Sequence, residues 1–173
     1  MKQKSVGTPD AKSSSVSSGC AGLDAALDGG YPRGHFYLLE GDPGAGKTTL
    51  GLQFMTEGAK NGESVLFITL SESRQELIDI AHSHGFSIDG VEIFELLPGE
   101  DDLKPEGQYT VFHPSEVELN DRMQTLFNEV ERVKPDRLVI DPLSELRLLA
   151  RDPLSDSCIE EISVRTYLHG SSA

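Results

Sequence analysis

Apolar residues along this chain recur in two rhythms. Short runs fall at 35–40 (HFYLLE), 65–70 (VLFITL), 91–97 (VEIFELL) and 137–141 (RLVID). Runs of this length and richness predict strands buried in a parallel sheet. Between them the apolar spacing lengthens to three or four. Leu50, Phe54, Met55 and Ala59 predict a helix after Lys47, with Gly62 as its stop. Leu77, Ile80, Ala81 and His84 form the stripe of a second helix, opened by capping-box spacing between Ser73 and Glu76 and ended by Gly85. Leu119, Met123, Leu126, Phe127, Val130 and Val133 mark a third, opened by the same spacing at Ser115 and Glu118 and closed by Pro135. Upstream, 17–30 suggests a turn, a short helix holding Leu23 and Leu27, and a glycine stop. Strands alternating with amphipathic helices predict an α/β fold with a mainly parallel sheet flanked by helices.

Two stretches break this rhythm. Residues 1–15 are rich in Lys and Ser with almost nothing apolar, and are expected to form a disordered leader. Residues 98–114 form a long polar connection containing Glu100, Asp101 and Asp102, an acidic cluster expected to be solvated loop rather than a metal site.

At 173 residues the chain is long enough for one real core. Apolar residues make up 37% and charged residues 25%, a globular rather than a disordered composition. Fifteen basic against 29 acidic residues leave a net charge of −14, which argues against broad binding to nucleic acid or anionic membrane. Cys20 and Cys158 have no metal spacing and suggest no disulfide framework, which fits a reducing cytoplasm. No apolar run approaches the length needed to span a bilayer, and the N-terminus lacks the apolar segment of a secretory signal. The five histidines, His35, His82, His84, His113 and His169, show no zinc spacing and are expected to be ordinary surface or half-buried residues.

The chemistry concentrates between the first predicted strand and the first long helix. From Gly41 to Thr48 the sequence reads G-x-x-x-x-G-K-[ST]. Glycines there remove the Cβ atoms that would block a close approach of the backbone, and successive N–H groups can then face phosphate oxygens at a helix N-terminus. The candidate phosphate-binding set is Gly41, Asp42, Pro43, Gly44, Ala45, Gly46, Lys47, Thr48 and Thr49. Lys47 is expected to reach the β- and γ-phosphates and so to join the catalytic set, and the Thr48 hydroxyl to ligate Mg²⁺. Asp141, at the end of the 137–141 run, is the expected carboxylate partner of that metal. Glu72 follows the 65–70 run, at the strand edge where ligands gather in open α/β sheets, and is the candidate for polarising water. A competing role for Glu72 is electrostatic support of the first turn of the next helix.

These stretches together resemble the KaiC-like branch of the RecA/RadA superfamily of P-loop ATPases. The likeness is carried by 22–24, 29–30 and 32–34 (GLD, GG, PRG), by 41–49, by 67–72 (FITLSE) and by 138–145 (LVIDPLSE), and runs from about Val16 to Leu154. It implies a RecA-like core, ATP and Mg²⁺ as ligands, and hexamer-like rings with nucleotide held between subunits. It also implies that Glu72 is the catalytic acid/base. Family members place a glutamate there, and the protein that gives the branch its name carries two adjacent ones; here the first is Ser71, and Glu72 is expected to lack that support. The family further implies serine/threonine autokinase activity. Two other readings compete with ATP-driven switching: a scaffold subunit that holds nucleotide without turnover, and a RecA-like DNA-dependent ATPase, which the acidic charge disfavours.

The likeness stops after Leu154. Residues 155–173 are expected to be an atypical tail, 16–154 a partial ATPase domain, and the C-terminal part of the fold to be missing, with weak or absent ATPase activity as the consequence. Only 162–168 (ISVRTYL) alternates well enough to serve as a further strand, with 143–150 as a short crossover helix.

Overall fold

The computed structural model describes residues 15–96 and 114–145. Residues 1–14 of the leader, 98–113 of the polar connection with its acidic cluster, and the tail lie outside these residues. In chain order the elements are β1 (Ser15–Val16), α1 (Ala21–Ala26), β2 (Tyr31–Pro32), α2 (Lys47–Lys60), β3 (Val65–Thr69), α3 (Arg74–Ser83), β4 (Glu92–Glu95), α4 (Pro114–Val133) and β5 (Arg137–Asp141). Strands β4, β3 and β5 form a three-stranded sheet in that order, and both pairings are parallel. This is the α/β architecture with a parallel sheet expected from the alternation of strands and helices, and it agrees with the RecA-like core that the resemblance implies.

β3 explains the layering. All five of its residues are buried, and successive side chains point to opposite faces of the sheet. Leu66 and Ile68 pack with Met123, Leu126, Phe127 and Val130 of α4. Val65 and Phe67 pack with Leu52 and Met55 of α2 and with Leu77 and Ala81 of α3. Apolar residues on both faces are what a central parallel strand needs when helices cover it on both sides. α3 starts as its sequence implies: the Ser73 side chain accepts from Glu76 N–H while Glu76 reaches back to the Ser73 backbone. Its stripe is shorter than expected, since Leu77 and Ala81 are buried but His84 is an exposed residue at the C-cap.

The run 35–40 does not behave as expected. It is not a strand, and Phe36, Tyr37, Leu38 and Leu39 are 47%, 45%, 51% and 47% exposed. Apolar composition supplies propensity, but a strand exists only where a neighbour takes its N–H and C=O groups. Among the described residues the sheet ends at β5, and no segment offers 35–40 a ladder. The segment is held by side chains instead: Tyr37 Oη donates to Pro32 O at 2.9 Å, and the Tyr37 ring lies 4.6 Å from that of Tyr31.

The N-terminal stretch is tied to the core by one buried cation. The Arg137 side chain is 2% exposed. It donates through Nη1 to Ser17 O at 2.8 Å and Phe54 O at 2.9 Å, pairs through Nε with Glu63, and lies 4.6 Å from the Phe54 ring centroid. Arg33 takes the other Glu63 oxygen at 2.7 Å. Gly58 makes room for the stem, since a Cβ there would stand 2.7 Å from Arg137 Cδ. Arg137→Met removes the donors and leaves Glu63 and two carbonyls short of a partner. It is expected to cost about 3 kcal/mol of stability in urea titration.

The same pair gives a pH dependence. Burial pushes the Glu63 carboxyl up, but the hydrogen bonds and charges of Arg137 and Arg33 outweigh it and hold the group below its ordinary value. A depressed folded-state value adds stability above the unfolded value of 4.5, and that contribution is lost as pH falls through the lower folded value. Stability measured from pH 7 down to about 3 is expected to fall less steeply in Glu63→Gln than in the parent.

Candidate functional site

The loop from Gly41 to Gly46 leaves the exposed 35–40 segment and turns into α2. Ala45 N–H donates to Asp42 O at 3.1 Å, which closes the first turn of the loop. Gly46 is the N-cap of α2 at φ 86°, a left-handed value that side chains with a Cβ rarely adopt. Its conformation lets the chain enter the helix with the N–H groups of the first turn still free for a ligand. Lys47 Nζ donates to Gly41 O at 2.8 Å and Asp42 O at 3.0 Å, so the ammonium lies across the mouth of the loop.

From the sheet side comes Asp141. Thr48 Oγ1 donates to Asp141 Oδ2 at 2.6 Å, across 93 residues of sequence. β5 places the carboxylate at the C-terminal edge of the sheet, in register with Thr69 of β3, and Leu70 N–H donates to Asp141 O at 2.9 Å. Burial raises the Asp141 carboxyl above its ordinary value; the Thr48 hydrogen bond and the Lys47 charge oppose the rise, and the charge of Glu72 adds to it. A hydroxyl and a carboxylate oxygen in contact, with a second carboxylate close enough to be felt, form a hard donor set suited to Mg²⁺. That ion commonly takes one or two protein ligands and completes its shell with phosphate and water. Among the described residues no group of three His, Cys, Asp or Glu side chains could hold a metal without such help.

Glu72 sits just beyond β3. Thr69 Oγ1, fully buried, donates to Glu72 O at 2.7 Å and accepts from Glu72 N–H at 3.0 Å. Glu72 precedes the N-cap Ser73, and the first acidic residue inside α3 is Glu76. Glu76 thus supplies the acidic residue of the helix's first turn, and Glu72 lies one position ahead of the cap. The expectation that Glu72 lacks support is overturned, because Ser71 Oγ donates to Glu72 Oε2 at 2.5 Å.

Lys47 and Thr48 at the start of α2, Asp141 at the end of β5 and Glu72 in the turn after β3 are thus brought to one sheet edge from three places in the chain. Sequence reasoning missed three contributors. Thr69 and Ser71 carried a readable signal, two hydroxyl residues within three positions of a candidate base. His84 did not: its ring nitrogen Nε2 comes within 3.4 Å of Thr49 Oγ1 only because α3 ends beside the start of α2.

This constellation, a glycine loop between sheet edge and helix with a hydroxyl–carboxylate pair beside it, defines a P-loop nucleotide-binding protein. The family model described as "ATPase: KaiC" matches residues 16–160. The chain belongs to the KaiC ATPase family. It is 32% identical over 131 residues to the circadian clock oscillator protein KaiC of Picosynechococcus sp., covering 76% of this chain and 23% of that protein. It is 33% identical to KaiC of Thermostichus vulcanus, with the same coverage of 76% and 23%. For KaiC 1 of Synechocystis sp. the identity is 31% and the coverage again 76% and 23%. The chain therefore spans about a quarter of the length of these curated relatives. Among the described residues no helix is long and apolar enough to cross a membrane.

Proposed function

We propose that this chain binds Mg·ATP on the 41–49 loop and hydrolyses it, and that the change in phosphate occupancy switches conformation or partner binding. The observation that carries the reading is the 2.6 Å contact between Thr48 and Asp141, which joins the glycine loop to the strand edge next to Glu72. Lys47 exchanges its loop carbonyls for β- and γ-phosphate oxygens when nucleotide enters. Thr48 and Asp141 are the residues that would hold Mg²⁺, which neutralises phosphate charge when bound. Glu72 orients a water and takes its proton while the water oxygen bonds to the γ-phosphorus and the bond from that phosphorus to the bridging oxygen breaks, leaving ADP and phosphate.

The acting unit is 16–154, working in a ring of copies in the cytoplasm; autokinase activity rests on family membership alone. A scaffold that holds ATP without turnover is the reading the test must separate. Purified protein mixed with radiolabelled Mg·ATP, followed for bound nucleotide, released phosphate and oligomer size together, does so. Phosphate release at one turnover per site supports hydrolysis; tight binding without release overturns it in favour of the scaffold.

A further inference from the structure

The turn that follows β3 is built more tightly than a connection to a helix requires. Thr69 grips Glu72 at both backbone groups, and Thr69 is itself in register with Asp141 across the sheet. The main chain of Glu72 is therefore fixed relative to the hydroxyl–carboxylate pair of Thr48 and Asp141. Its side chain has further torsions of its own, and leaving them free would spread the carboxylate over several rotamers. One oxygen is held: Ser71 Oγ donates to Glu72 Oε2 at 2.5 Å. Ser71 is exposed, so packing does not call for a hydroxyl there. Among the described residues no hydrogen bond engages the other oxygen, Oε1.

We infer that Ser71 is a positioning residue for Glu72: its hydroxyl fixes Oε2 so that Oε1 faces the site as the proton acceptor. This rests on the reading of Glu72 as the base proposed above. A carboxylate aimed before the water arrives saves the ordering cost at the reactive step, which is where placement yields rate. One neutral donor on a partly exposed carboxylate is a modest interaction, so the effect on rate is modest as well.

The test uses the full chain and its Ser71→Ala, Ser71→Thr and Glu72→Gln variants. ATP affinity and single-turnover hydrolysis are measured for each, and the Glu72 side-chain carboxyl ¹³C resonance for the parent and the two Ser71 variants. Ser71→Ala is expected to keep ATP affinity, to slow hydrolysis about threefold to tenfold, and to move the Glu72 resonance. Ser71→Thr, which keeps the hydroxyl, is expected to restore both. The resonance reports on the contact whether or not turnover is fast, and an unmoved resonance in Ser71→Ala overturns the inference. So does a parent-like rate in Ser71→Ala beside a collapsed rate in Glu72→Gln, an outcome that leaves the base assignment standing. A parent-like rate in Glu72→Gln overturns the base assignment and the role of Ser71 with it.

Discussion

Lys47→Ala is expected to abolish measurable Mg·ATP binding while leaving the fold in place. The side chain lies over the loop, and among the described residues its hydrogen bonds go to two carbonyls there, those of Gly41 and Asp42. It contributes nothing to either apolar cluster, so its loss is expected to change stability by no more than about 0.5 kcal/mol. Its charge matters to the ligand. A triphosphate brings several negative charges to a chain already at −14, and among the loop residues Lys47 is the cation that can meet them. Truncating one partner of a charged, hydrogen-bonded contact costs about 2–5 kcal/mol, or about 30- to 5,000-fold in affinity. Calorimetry of the variant against the parent, with melting curves for both, checks the prediction. Parent-like affinity in a folded Lys47→Ala protein would overturn the phosphate site.

Much of the fold was legible because its signals are local. The burial of β3 on both faces follows from 65–70 being apolar without alternation, and the start of α3 follows from Ser73 and Glu76 three positions apart. The stripe of α4 was correct from Met123 to Val130, where helical spacing and burial coincide. The strand at 35–40 was misread for a reason of the opposite kind. Its composition resembles that of β3, but strand formation depends on a neighbour, and neighbours are a property of the whole sheet rather than of six residues. The antiparallel pair β1 and β2 was missed because two residues a side carry no periodicity to read.

The site divides the same way. The loop from Gly41 to Thr49 is contiguous, and each residue type there has a chemical reason, so sequence alone located it. Asp141 and Glu72 were chosen by a rule about strand ends, and in the structure Asp141 ends β5 and Glu72 follows β3, at the edge where parallel strands bring their C-terminal ends together. The contact between Thr48 and Asp141 across 93 residues depends on that topology. Arg137 was read only as the first residue of a strand. Its burial against Glu63, Ser17 and Phe54 needs three segments to meet, and no spacing along the chain announces it.

Glu72→Gln is expected to separate binding from chemistry. Glutamine keeps the shape of the side chain and its reach, and the backbone grip of Thr69 on residue 72 does not depend on the carboxylate. The proposed nucleotide contacts come from the loop, Lys47 and Thr48, so ATP affinity is expected to stay within about twofold of the parent, as for a group that adds little to ground-state binding. Removing the charge also relieves Asp141 of a neighbouring negative, which favours rather than opposes the ligand. What is lost is the group proposed to accept the proton from water. General acid–base groups contribute about 10²–10⁴ in rate, and single-turnover hydrolysis should fall by that factor. The amide can still orient water by hydrogen bonding, so the loss is set against a residual rate from the loop and metal site rather than against zero. Equal turnover in Glu72→Gln and parent would mean that a different residue holds the water. Asp141 is not expected to be the replacement, because its Oδ2 already accepts from Thr48 and its proposed role is to hold Mg²⁺.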